Sequence, residues 1–183
     1  MMSPILPSDS KLKELMLYVA KRSQDDPFYG ATKLNKILFF SDFLAFKKLG
    51  QSITGQPYRK LDFGPAPARM QEIRDELVRD QDAGIQKTEI AGKMQHRLIH
   101  LRDPNLSEFS GEEIAIVDEM IDFLRSKTAT EVSEFSHRFI GWQIARVGEV
   151  IPYETVYIVQ REPTEKENAY AMTLTPTLKD GTK

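Results

Sequence analysis

The chain has 183 residues, 40% of them hydrophobic and 28% charged, which is the balance of one soluble globular domain. Lys and Arg number 25 and Asp and Glu 27, so the formal charge is −2 and a strongly basic nucleic-acid coat is excluded. With no cysteine, disulfides, thiolate metal sites, iron–sulfur clusters and a cysteine nucleophile are excluded as well.

The longest apolar run, Leu15 to Ala20, is far too short for a membrane span. Met1-Met2-Ser3-Pro4 carries neither a basic leader nor an apolar signal core, so a cytoplasmic protein is expected. Residues 1–9 read as a lead-in, 10–162 as the globular domain and 163–183 as a polar tail.

A first helix is predicted over about Ser10 to Ser23. Leu12, Leu15, Met16, Val19 and Ala20 fall on one face, and Asp25-Asp26-Pro27 ends it. A second runs from about Thr32 to Leu49, with Gly50 placed to close it. Leu34, Ile37, Leu38, Leu44 and Ala45 make its stripe, and Phe39, Phe40, Phe43 and Phe46 widen the apolar surface well beyond it. Either two neighbours cover this helix, or one aromatic flank is kept for a partner. Lys33 and Lys36, three apart, read as a charged, solvated face.

Gln51 to Leu61 reads as a loop with a short extended piece. Asp62-Phe63-Gly64-Pro65-Ala66-Pro67 is a sharp turn that leads straight into a third helix, with Pro67 early in it. Gly64 suits a positive φ before Pro65. Met70, Ile73 and Leu77 face one way, and Ala83-Gly84 closes the helix. Ile85 to Ala91 and Met94 to Arg102 then alternate as two strands around Gly92. Ser110 and Glu113 form a capping box for a fourth helix carrying Ile114, Val117, Ile121 and Leu124. Thr130 is placed to cap a fifth, with Val132, Phe135 and Phe139 inward, and Pro152 starts a short segment from Tyr153. The sum is an α+β fold: a mostly helical single domain with a small antiparallel β-hairpin.

No complete catalytic set is visible. His96 and His100 share a strand face, but nothing in the sequence supplies a third metal ligand. Glu134-Phe135-Ser136-His137 has the Glu-x-x-His spacing of di-iron bundles, which need two copies, and only one is present. The strained serine-hydrolase turn and the glycine-rich phosphate loops are missing. No metal, no cofactor and no enzymatic activity are expected.

Two stretches say more. Lys33-Leu34-Asn35-Lys36-Ile37-Leu38-Phe39-Phe40 is followed by Gly50, Tyr58 and Phe63-Gly64-Pro65. Further on come Ser136-His137-Arg138-Phe139-Ile140-Gly141-Trp142 and Ile151-Pro152-Tyr153-Glu154. The first resembles the opening helix and aromatic-Gly-Pro turn of the Panacea domain, the family of SocA-like antitoxins. The second resembles the Ser-His, Gly-Trp and Ile-Pro-Tyr close of one of its branches. The resemblance runs over about residues 10–160, leaves 85–106 without a matching motif, and leaves no room for the additional domain many members carry.

It implies an antitoxin of bacteria or phages that neutralises a cognate toxin by direct protein contact. In one branch the antitoxin is instead an adaptor that hands its toxin to an ATP-dependent protease and its chaperone. A nucleic-acid-binding regulator using the Lys33 and Lys36 side is the alternative of another class, against which the acidic total argues. Gly64, Pro65 and Trp142 read as fold-building, with the Trp142 indole N–H expected to find an acceptor. Phe43, Phe46 and Tyr58 are the expected toxin contacts, from the aromatic surplus of the second helix and its following loop.

Overall fold

The computed structural model describes residues 6–90 and 92–158, with scattered positions at 164–166, 169–170 and 173. Most of the expected polar tail lies outside the described residues. Helix α1 spans Asp9–Arg22, and the Ser8 hydroxyl caps it by accepting from the Lys11 N–H at 3.1 Å. It buries Leu12, Leu15, Met16, Leu17, Val19 and Ala20. Helix α2, Ala31–Leu49, ends at Gly50 with φ 77°, the left-handed closure that a glycine makes at no steric cost.

α2 is the central strut. Helices α4, Gly111–Leu124, and α5, Ala129–His137, pack on it together with α1 and a 3-10 helix, Tyr153–Tyr157. A helix covered on so many sides can be apolar nearly all round, and this settles the aromatic surplus. Phe39 and Phe43 pack ring to ring at 4.3 Å, and Tyr58, Phe139 and Tyr153 close around them.

The helices are tied by two small sheets. β1, Tyr58–Arg59, lies between β2, Ala66–Pro67, and β5, Val150–Ile151, all antiparallel. This sheet was not legible in the sequence, because strands of two residues carry no periodicity. Pro67 is therefore on an edge strand and not in a helix. Helix α3 begins only at Met70 and ends at Arg79. Gln81, at φ 60°, turns the chain, and Ala83 and Gly84 already belong to the next strand.

β3, Ala83–Ile90, and β4, Lys93–His100, form the expected hairpin with Gly92 at φ 74° in its turn. Both ends start slightly earlier than the alternation suggests. α4 has its capping box of Ser110 and Glu113, and buries Ile116 where the stripe had placed Ile114. In α5 the cap is Thr128 rather than Thr130, because Thr128 has Glu131 three residues on and completes a second capping box. A short helix α6, Ile140–Ile144, follows.

Candidate functional site

The two motif stretches, far apart in sequence, meet at one place. The meeting point is the turn Leu61–Gly64, laid across α2, α5 and α6. Gly64 has φ 93°. A Cβ there would lie 2.6 Å from Lys36 Cε and 2.9 Å from Lys36 Nζ, and would also run into the Ser136 hydroxyl. Only glycine fits between the two, so the side chains of α2 and α5 shape the turn from below.

Two carbonyls of this turn are engaged from the α5–α6 side. The Trp142 indole N–H finds the acceptor it was expected to need, donating to Leu61 O at 3.3 Å. The Ser133 hydroxyl donates to Phe63 O at 2.8 Å. His137 and Trp142 stack at 4.0 Å, and Lys60 covers the Trp142 ring from 4.0 Å while donating to Ala145 O at 3.0 Å. Gly141 is needed for the same closure: a Cβ would meet Phe139 at 2.6 Å and Ile151 at 2.8 Å.

The lysines of α2 do not form a solvated face. Lys33 and Lys36 are each 1% exposed. Lys33 reaches the Asp26 carboxylate at 2.7 Å and the Arg125 carbonyl at 2.9 Å, a buried ion pair that pins the α1–α2 connection to the end of α4. Burial lowers its pKa and Asp26 opposes this. Lys36 has no such partner. Desolvation alone pushes its ammonium down to about 7. The His137 imidazole is also pushed down, first by burial and then by Lys36 and Lys60, and its Nε2 is buried without a hydrogen bond. Neighbours pack on α2 from several directions, and the turn Leu61–Gly64 lies over Lys36, so these two cations are inside while Lys47 and Lys48 at its end stay exposed.

Of the three expected toxin contacts, Phe43 is 3% and Tyr58 0% exposed. Both belong to the core, and Phe46 is half-buried against Tyr153 and Tyr157. Covering neighbours account for Phe43 and Tyr58. Tyr58 donates to the Asp42 carboxylate at 2.6 Å. Asp42 also accepts from the Ile53 and Thr54 N–H groups, each at 2.8 Å, and so hangs the 51–58 loop on α2. Burial raises its pKa against these donors. Sequence reasoning passed over Asp42, although an acid set between Phe40 and Phe43 was a signal.

The rest of the motif divides in two. Leu34, Leu38 and Phe39 are core, and Phe40 packs on Phe135. Pro65 is buried, Pro152 precedes the 3-10 helix, and Tyr153 donates to Gln56 O at 2.7 Å. Phe63 is the exception: 78% of it is exposed.

Two clefts, of about 530 and 640 Å³, flank the start of α2 and share Ala31 and His96. Neither is lined by Lys36, Ser136 or His137. His96 is exposed and His100 half-buried. Among the described residues no group of three or more His, Asp or Glu side chains could hold a metal ion.

The family model for the antitoxin SocA-like Panacea domain matches residues 34–143. The chain belongs to that family. The match begins in α2 and ends in α6, so this Panacea domain contains both the glycine turn and the Ser-His and Gly-Trp residues that engage it. The span is shorter than the resemblance suggested. α1 and the Ile151-Pro152-Tyr153 stretch lie outside it, yet both pack on the domain's central helix or on its small sheet. Family membership supports an antitoxin-type role. No helix among the described residues is long and apolar enough to cross a membrane. No curated protein and no solved structure matches the chain.

Proposed function

We propose that this protein is the antitoxin of a bacterial or phage toxin–antitoxin pair and neutralises its toxin in the cytoplasm by direct protein binding. The observation that carries this is the family match over residues 34–143, a stretch whose motif side chains converge on one surface turn. That convergence builds a rigid shape and leaves no open cleft over Lys36 or Ser136, each at most 1% exposed. A rigid surface suits recognition of another protein.

The test is co-expression. The product of the adjacent gene is induced with and without this chain, growth is followed, and the two are purified together. Restored growth with a stable complex and an undiminished toxin level is expected. Restored growth with the toxin removed in a protease-dependent way would replace inhibition by delivery to an ATP-dependent protease. Growth arrest that this chain never relieves would overturn the antitoxin reading.

A further inference from the structure

We propose that the Leu61–Gly64 turn is a proton-gated latch: it is shut over Lys36 while that amine is neutral, and it opens when Lys36 takes up a proton, with His137 coupled to the same event. The device needs no partner, so its failure leaves the antitoxin reading untouched.

Lys36 lies under a lid. It is 1% exposed, and Gly64 closes the space above it so tightly that a Cβ there would lie 2.9 Å from Nζ. On the α5 side the Ser136 hydroxyl has its hydrogen committed to the Ser133 carbonyl at 2.7 Å. Lys33, three residues earlier on the same helix, has Asp26 at 2.7 Å, but no charged neighbour offsets the burial of Lys36 among the described residues. A charged amine here keeps its N–H groups out of water with no counter-charge, a cost that the neutral amine avoids.

The lid is built to move as a unit. Tyr58 and Arg59 pair with Pro67 and Ala66, so both ends of the loop are fixed on one strand pair. Between them the turn is held by hydrogen bonds rather than by core packing. The Gly64 N–H closes on Leu61 O at 2.9 Å, the Trp142 indole N–H reaches the same oxygen, and the Ser133 hydroxyl reaches Phe63 O. Leu61 is 44% and Phe63 78% exposed. Such a segment opens locally while the rest of the fold stays closed.

His137 sits beside the lid. Its ring stacks on Trp142, its Nε2 is buried without a hydrogen bond, and Lys60 covers the same indole. The charges acting on it come from each element around it: Lys36 of α2 and Lys60 beside the turn oppose its protonation, and Glu134 of α5 favours it. The other charged residues of the turn and of α5 with its cap are Asp62 and Arg138, both exposed, and Glu131, which is held at the Thr128 cap; α6 has none. Burial places Lys36 at about 7 and lowers His137 from 6.5, so on acidification Lys36 gains its proton first and then resists the second.

The test uses the full chain between pH 8.5 and 6. Trp142 is the single tryptophan, so its emission reports on the lid directly. Exchange of the Gly64 N–H, divided by its intrinsic rate, measures opening, and Leu38 in the core of α2 is the reference for global unfolding. In wild type, Gly64 opening is expected to rise about 30-fold over this range, the linkage of a group at about 7 when shut and 10.5 when free. Trp142 emission should move to longer wavelength, and Leu38 should stay protected. Lys36→Met is expected to hold the rise under about 3-fold and to move the His137 midpoint upward in ring-proton NMR. His137→Gln is expected to keep the Lys36-driven rise.

Gly64 opening that ignores pH in wild type overturns the latch. So does a rise of equal size in Lys36→Met, or one that Leu38 shares, which would mean that the proton unfolds the molecule. Should Lys36→Met not fold, the Lys36 Cε resonance of wild type decides: a midpoint near 7 supports the latch, and one near 10.5 overturns it.

Discussion

Lys36 and Gly64 depend on each other. The ammonium end lies where a side chain at position 64 would start, and the backbone there is at φ 93°. Gly64→Ala must therefore both strain the backbone and displace Lys36 and Ser136. We expect a loss of roughly 2–4 kcal/mol in urea unfolding. A loss below 1 kcal/mol would show that the turn yields.

Lys36 also makes a pH prediction. Folded, it gives up its proton above about 7, and unfolded it keeps it to the ordinary lysine range near 10.5. Between these values the unfolded chain binds more protons, so stability rises with pH through that window, and below about 7 the full cost of the buried charge is present. Lys36→Met should stabilise the protein at pH 7 and remove a rise of roughly 2 kcal/mol between pH 7 and 9. Urea midpoints of both proteins at the two pH values check this. Parallel curves would show that the lysine stays charged in the fold.

At the level of elements, α5 carries the residues that engage the turn, and its start is set by Thr128 and Glu131. The Thr128 hydroxyl accepts from the Glu131 N–H at 3.3 Å, and the Glu131 carboxylate accepts from the Thr128 N–H at 2.7 Å. Thr128→Ala is expected to cost about 1 kcal/mol. Amide exchange should quicken through Ser133, because the first turn frays. Unchanged exchange would place the anchoring of α5 in its packing alone.

The long elements were legible for a simple reason: α1, α2, α4 and the hairpin each repeat their pattern several times. The sheet β2-β1-β5 and the true start of α3 were not. Two-residue strands are made by partners distant in sequence, and Pro67 is compatible with a helix start and an edge strand alike.

For the whole molecule, burial separates two kinds of aromatic residue that look alike in the sequence. Phe43 packs between Phe39, Tyr58, Phe139 and Tyr153, and Phe43→Ala should cost about 3–5 kcal/mol. Thermal and urea unfolding measure it. A variant that melts like wild type would mean that this aromatic cluster is not a core. Any loss of toxin relief in Phe43→Ala should follow its loss of folding, which distinguishes it from a contact residue.

By itself the sequence determined the class of fold, the main helices, the hairpin, the glycine turn and the family. These rest on local periodicity, caps and short motifs, all of which are properties of neighbouring residues. The tertiary structure alone decided that Lys33 and Lys36 are inside, that Phe43 and Tyr58 are core, and that Phe63 stands in water. Those outcomes depend on which elements cover α2 and which side chains of α5 and α6 catch the turn. Burial is set by partners from far along the chain, and no local pattern records them.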